Sequence, residues 1–284
     1  MSSGNPYLPY PVTISKTCIE NEAKDIKTFE LSFCKEEDQQ SFDFACGQFA
    51  ILSLLGTGES PIGIASSPLD EEYLQFTVKL YPTGVVTSAL HSMGEGERMG
   101  VRGPYGNCFP LDQIEGKNIV IAAGGFAFTT LRSTIRYMLD DSNRSRFGDI
   151  TVIYGARSPG ELIYKSELKD WEQHDGINMH VTVDKGDDTW TGRVGFVPTV
   201  LSEVAPSSEN AVIFVCGPPI MLKFTMQPII ELGFTPENIY TSLERRMTCG
   251  FGKCGRCNVG SQYVCKDGPI FTYQQIQALP EPIF

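Results

Sequence analysis

The stretch NIVIAAGGFAFTTLRSTIRYMLDD, residues 118–141, runs after Asn118 through five uninterrupted apolar residues, closes that run with paired glycines, and continues in a helical pattern. A short run apolar on both faces, then a tight turn and an amphipathic helix, reads as one strand-turn-helix unit of a buried parallel sheet. Further apolar runs follow at DITVIYGARS (149–158), NMHVTVD (178–184) and NAVIFVCGPP (210–219), with helical patterns at GELIYKSELKDWEQ (160–173) and PIMLKFTMQPIIELG (219–233) between them. Strands alternating with helices predict an α/β, doubly wound sheet. Ligands of such sheets sit at the carboxyl ends of the strands, where AAGG and VCGPP both fall.

Upstream the pattern changes. KTFELSF (27–33), GQFAILSLL (47–55), LQFTVKLY (74–81) and ERMGVRGPYG (97–106) are short β-rich runs separated by turn residues, the signature of an antiparallel β-barrel or sandwich. Downstream, IYTSLE (239–244) supplies a last strand before a cysteine-rich tail of about 40 residues, too short to hold a core without a metal or similar staple. The chain therefore reads as multidomain: a barrel over 1–114, a nucleotide-binding domain over 115–238 and a metal-stapled module over 239–284.

In the tail, Cys249, Cys254, Cys257 and Cys265 follow C-x4-C-x2-C-x7-C. The first three positions have the spacing of plant-type two-iron two-sulfur ferredoxins, in which a four-residue loop wraps the cluster with its N–H groups turned toward sulfur. Gly250, Gly252 and Gly255 suit such a loop because glycine accepts positive φ, and Lys253, Arg256, Arg245 and Arg246 offset part of the cluster's charge. A structural zinc site also uses four cysteines, although zinc more often pairs two C-x2-C knuckles and only one is present. Cys18, Cys34, Cys46 and Cys108 stand singly and read as small buried hydrophobes.

The 284 residues carry 34 acidic and 23 basic side chains, a net charge of -11, which gives no electrostatic footprint for nucleic acid or an anionic membrane. No segment has the length of a membrane span, and MSSGNPYLPYPVTISK lacks the features of a signal peptide. The expected compartment is a reducing cytoplasm, where clustered cysteines bind metal or act in catalysis.

LERRMTCGFGKCGRCNVG (243–260) and YVCKDGPIFTY (263–273) resemble the carboxyl-terminal module of a family of electron-transfer subunits. It comprises the gamma subunits of cytoplasmic nickel-iron hydrogenases and sulfhydrogenases and the corresponding electron-transfer subunits of anaerobic sulfite reductase and dihydroorotate dehydrogenase, all similar to ferredoxin-NADP reductase. NPYLPYPVTI, GQFAILSL, RGPYGNCFP, YGAR and VCGPPIM recur in the same order, so the resemblance covers nearly the whole chain. It implies a flavin barrel binding FAD, a Rossmann-like NAD(P)-binding domain and a two-iron two-sulfur module, with electrons moving between NAD(P)H, FAD, the cluster and partner subunits of a redox complex.

Carried over residue by residue, Pro61, Ile62, Gly63 and Ser66 of SPIGIASSP match the segment along the flavin. Leu80, Tyr81, Gly84, Val86 and Thr87 match the pyrophosphate loop and helix start; their plainer reading is a turn and a helix N-cap. Gly124 and Gly125 match the family's glycine turn, and Cys216, Gly217, Pro218 and Met221 match its CGPP-x-M element beside the nicotinamide. Arg157 falls near the adenosine ribose, or is simply solvated. His91, His174 and His180 have no catalytic companions, and no general acid or base is assigned.

The chain departs from the family pattern at three places. Gly63 stands where a serine is usual, an arginine common near Tyr81 or Pro82 is missing, and GGFAFTTLRS replaces a glycine by Ala127 and an Ala-Pro pair by Thr129 and Thr130. The expected function is the flavin and iron-sulfur electron-transfer subunit of a cytoplasmic oxidoreductase. Its competitors are a relay that keeps the cluster without turning over nicotinamide nucleotides, and a zinc-stapled binding protein.

Overall fold

The computed structural model describes residues 5–280 and 283. Six antiparallel strands build the first domain: β1 (Tyr10–Ile19), β2 (Ile26–Phe33), β3 (Phe49–Leu54), β4 (Gly58–Gly63), β5 (Leu74–Lys79) and β6 (Arg98–Tyr105), in the order β4-β3-β6-β1-β2-β5. An Ile64–Phe76 bridge and a 2.8 Å bond from the Ala65 N–H to the Gln75 carbonyl join the two edge strands and close the barrel. Strand alternation turns Val12, Ile14, Phe29, Leu31, Leu52, Phe76 and Val101 inward to a common core. Two helices accompany the barrel, α1 (Glu36–Ser41) and α2 (Val85–Ser92).

The second domain carries parallel strands β7 (Asn118–Gly124), β8 (Ile150–Ala156), β9 (Asn178–Val183), β10 (Arg193–Val194), β11 (Ala211–Cys216) and β12 (Ile239–Ser242). Helices α3 (Phe128–Leu139), α4 (Lys165–Glu172), α5 (Val197–Val204) and α6 (Pro219–Glu231) connect them. Both faces of β7 are covered, which is why its sequence is apolar without alternation. Ile119, Ile121 and Ala123 pack with Leu131, Ile135 and Met138 of α3. Val120 and Ala122 pack with Val197 and Leu201 of α5 and Leu222 and Met226 of α6.

The seams differ from the expected cuts at 115 and 239. Phe109, Leu111 and Ile114 already belong to the second core, with Phe109 stacked on Phe214 at 4.5 Å. At the other end β12 pairs in parallel with β11, so residues 239–242 lie in the nucleotide-domain sheet. The tail folds as a two-stranded pair, β13 (Asn258–Val259) with β14 (Gln262–Tyr263), then α7 (Val264–Asp267), β15 (Ile270–Thr272) and α8 (Tyr273–Gln277). Strand β15 adds antiparallel to β12 and becomes the short edge strand of that sheet. Among the described residues no helix is long and apolar enough to cross a membrane.

Candidate functional site

The four tail cysteines are free thiols; Cys249, Cys257 and Cys265 are buried and Cys254 is exposed. Gly250, Gly252 and Gly255 take φ values of 87°, 76° and 72°, the left-handed turns that bend the backbone around the sulfurs. The bend aims N–H groups inward: Gly252 donates to Cys265 Sγ at 3.1 Å, Lys253 and Cys254 to Cys249 Sγ at 3.2 and 3.4 Å. Burial pushes the Cys249 thiol up, but the N–H donors of Phe251, Cys254 and Lys253 outweigh it and bring the group down to about 7. Cys265 goes the other way, to about 12, through burial and the adjacent Cys257 thiol.

Cys249 interacts with Cys254, and Cys265 with both Cys257 and Cys249, so the loop gathers the four thiols into one donor set. Four clustered thiolates with this spacing suit a two-iron two-sulfur cluster.

This loop leans on the barrel. A Cβ on Gly250 would lie 2.8 Å from Ile51 Cδ1 and 2.9 Å from Tyr105 Cδ2. G250A is therefore expected to cost about 1–3 kcal/mol of overpacking and about 1–2 kcal/mol for the positive φ. Iron content per flavin checks it: full retention at wild-type thermal stability contradicts the packing.

On the barrel, Pro61, Ile62 and Gly63 lie half-buried on β4, paired with Ile51, Ala50 and Phe49 of β3. Ser66 is not brought to this surface: it is fully buried and its hydroxyl accepts the Gln75 N–H at 3.0 Å, closing the barrel seam. Leu80 donates its N–H to the Asp25 carbonyl at 2.7 Å, and Tyr81 is exposed beside it. Gly84 is the N-cap of α2, and no side chain caps that helix. Thr87 is thus not the cap; it sits in the first turn and donates back to the Gly84 carbonyl at 3.2 Å. A Cβ at Gly84 would fall 2.3 Å from Thr87 Oγ1, so a larger residue there would have to turn the Thr87 hydroxyl away from the Gly84 carbonyl. The N–H groups of an uncapped first turn, Val86 among them, are suited to a pyrophosphate.

In the second domain Gly124 and Cys216 end the adjacent strands β7 and β11, in register within one residue. Burial pushes the Cys216 thiol up to about 12, so it stays neutral. Gly125 has φ 57° and open space around it. The sulfur of Met221 fills the gap between two glycines: a Cβ would meet it at 2.2 Å on Gly124 and 2.5 Å on Gly217. These glycines thus make room for a methionine within the chain. Pro218 is exposed as the N-cap of α6.

A cleft at these strand ends is lined by Ala127, Thr130, Cys216, Gly217, Glu244 and Arg245. Glu244 was not singled out by its sequence; it reaches the cleft because β12 delivers it beside Cys216, where its charge also bears on Tyr81. Thr130 lies across from the barrel, with its Oγ1 3.4 Å from where a Gly63 Cβ would stand. Two departures from the family pattern are thus spatial neighbours. Arg157 is exposed, near Asp184. His91 bonds the Val78 carbonyl and His174 the Gly176 N–H, while His180 Nε2 is buried without a partner.

A flavin-type barrel, a doubly wound nucleotide sheet and a four-cysteine loop define a ferredoxin-reductase-like electron-transfer protein. Residues 14–109 match the oxidoreductase FAD-binding domain, 121–227 the oxidoreductase NAD-binding domain, and 244–277 the iron-sulfur cluster binding domain of dihydroorotate dehydrogenase B. The sulfhydrogenase 1 gamma subunit of Pyrococcus furiosus is 37% identical, over 99% of this chain and 96% of its own. A probable dihydroorotate dehydrogenase B (NAD(+)) electron transfer subunit of Thermococcus kodakarensis is 32% identical, over 90% and 94%. Among solved structures, an NADH-dependent reduced ferredoxin-NADP oxidoreductase superposes with a TM-score of 0.72 at 24% identity, over 96% of this chain and 90% of that one, a likeness of fold. The chain belongs to the family of flavin and iron-sulfur electron-transfer subunits that includes the sulfhydrogenase gamma and dihydroorotate dehydrogenase B proteins.

Proposed function

We propose that the chain is the NAD(P)H-dependent subunit of a larger cytoplasmic oxidoreductase, passing electrons between a nicotinamide nucleotide and a partner subunit through FAD and a two-iron two-sulfur cluster. One arrangement carries the reading: the nucleotide cleft, the expected flavin strand and the cysteine loop succeed one another in space. Thr130 of the cleft faces Gly63 of β4, and the neighbouring strand β3 presents Ile51 to Gly250 of the loop. A bound flavin takes two electrons from a hydride donor and hands them on one at a time.

The chain's part is to hold and orient. Backbone around Pro61, Ile62 and Gly63 and the first turn of α2 at Gly84, Val86 and Thr87 are assigned to FAD. Gly125, Cys216, Gly217 and Pro218 are assigned to the nucleotide at the strand ends, with Gly124 and Met221 shaping that floor. The neutral Cys216 thiol supplies an uncharged surface there, and Glu244 the cleft's acidic group. Cys249, Cys254, Cys257 and Cys265 are assigned to the cluster. The partner belongs to the class seen in the relatives' names, a hydrogenase or dihydroorotate dehydrogenase catalytic subunit.

One observation favours the second reading, a relay without nucleotide turnover: Met221 occupies the space between Gly124 and Gly217, and Ala127 adds a methyl to the cleft. The visible spectrum of anaerobically purified protein separates the two. Bleaching of the flavin and cluster bands by NADH or NADPH is the expected result. Bands that bleach only with dithionite would transfer the assignment to the relay, and a colourless protein would defeat both.

A further inference from the structure

The hexapeptide RGPYGN, residues 102–107, ends β6 and makes none of the flavin or nucleotide contacts assigned above. Its first and last residues instead reach the two ends of the cysteine loop. Arg102 is 2% exposed. Its Nε and Nη2 form a fork on the Glu59 carboxylate at 2.8 and 2.7 Å, and its Nη1 donates to the carbonyls of Pro6 at 3.0 Å and Cys249 at 3.2 Å and to the Tyr105 hydroxyl at 3.0 Å. Glu59 lies on β4, two residues before Pro61. A single guanidinium therefore ties the flavin strand to the first cysteine.

Asn107 does the same beyond the last cysteine. Its Nδ2 donates to the carbonyls of Asp267 at 3.0 Å and Ile270 at 2.8 Å, its Oδ1 accepts the Ile270 N–H at 2.9 Å, and its own N–H donates to the Gly268 carbonyl at 2.6 Å. Four bonds from one residue hold the backbone just after Cys265. Between the two anchors, Gly106 packs so closely that a Cβ there would meet Pro269 Cδ at 2.6 Å.

We propose that residues 102–107 clamp the cluster loop to the flavin barrel, with Arg102 and Asn107 as positioning residues that set the relation between the two redox centres. The inference rests on the cluster assignment above. From Cys249 to Cys265 the loop has as regular structure only a pair of two-residue strands and the start of α7, so it cannot fix its own placement. Bonds to both ends supply that placement. The Arg102–Glu59 pair is also oriented, cation toward the loop and anion toward the flavin strand, and so favours added negative charge at the cysteines.

Two variants of the full chain with its cofactors test this. N107D keeps the shape but turns an oxygen toward two carbonyls. The double variant R102M/E59Q removes the donor to Cys249 without leaving a buried charge, an exchange that is often neutral for stability. Rapid mixing with NADH or NADPH, followed separately at flavin and cluster wavelengths, is expected to show flavin reduction within twofold of wild type. Reduction of the cluster behind it should slow about tenfold or more, the scale of losing an outer support of a metal site.

In potentiometric titration the double variant's cluster should titrate lower, a tenfold change in the oxidised-to-reduced ratio being about 59 mV for a one-electron couple. Wild-type cluster rate and potential in folded, fully loaded variants would overturn the clamp. If one variant does not fold, the other decides alone. Should no nucleotide reduce even the wild-type flavin, the reductase reading falls, while the potentiometric comparison still judges the clamp.

Discussion

C257S is expected to lose its iron and acid-labile sulfide while keeping flavin and its reduction by nucleotide. Cys257 is 1% exposed, packed with Val259, Val264 and Cys265, and its thiol is paired with Cys265. Serine fits the space, so the fold survives. Its hydroxyl, however, does not ionise at neutral pH and offers a hard oxygen where a soft thiolate is needed. Outer contacts to a metal site are worth about 10–100-fold in affinity or activity. Loss of a ligand should exceed the upper end of that range, and transfer to a one-electron acceptor should fall by more than about 100-fold. C18S, at an exposed position on β1, should leave iron content unchanged. Wild-type iron in C257S would make Cys257 a packing residue and remove the cluster assignment.

The tail was the most legible part of the sequence because local spacing dictates it. A four-residue loop between two ligands has few ways to wrap a cluster, and the glycines needed at positive φ are 250, 252 and 255. The doubly wound sheet was nearly as plain, since a strand covered on both faces must be apolar throughout, as β7 is. Contacts far apart in sequence were not readable. Arg102 meets Cys249 across 147 positions and Asn107 meets Ile270 across 163.

Neither residue type announces such a partner, since an arginine in a β-rich run reads as a solvated charge and an asparagine after a glycine as a turn. The glycine pair at 124 and 125, matched by resemblance to the family's glycine turn, has two different surroundings: Met221 occupies the space beside Gly124 while Gly125 stays open. Glycine marks close approach without naming what approaches.

Arg132→Met is expected to uncouple the barrel from the nucleotide domain, splitting a single thermal transition into two. Arg132 lies on α3 and is 4% exposed. Its fork meets Glu167 of α4 at 2.6 and 2.5 Å, while its remaining nitrogen crosses to the barrel, donating to the Ala65 carbonyl and to Gln75 Oε1, both at 2.7 Å. Its guanidinium also lies 4.5 Å from the centre of the Tyr164 ring, whose hydroxyl bonds Thr77 of the barrel. The side chain thus joins both domains at the seam where β4 leads into β5.

Removing one partner of a buried ion pair costs about 3–5 kcal/mol. Glu167 keeps some contact with water, its side chain being 27% exposed, so the lower end of that range applies. Lysine at this position should recover little, because a single ammonium cannot reach a carboxylate fork, a carbonyl and an amide together. Differential scanning calorimetry of flavin-loaded protein reads the result directly. A single transition at the wild-type temperature in R132M would show that the domains are held by the apolar contacts of the seam alone, with Arg132 filling space between them.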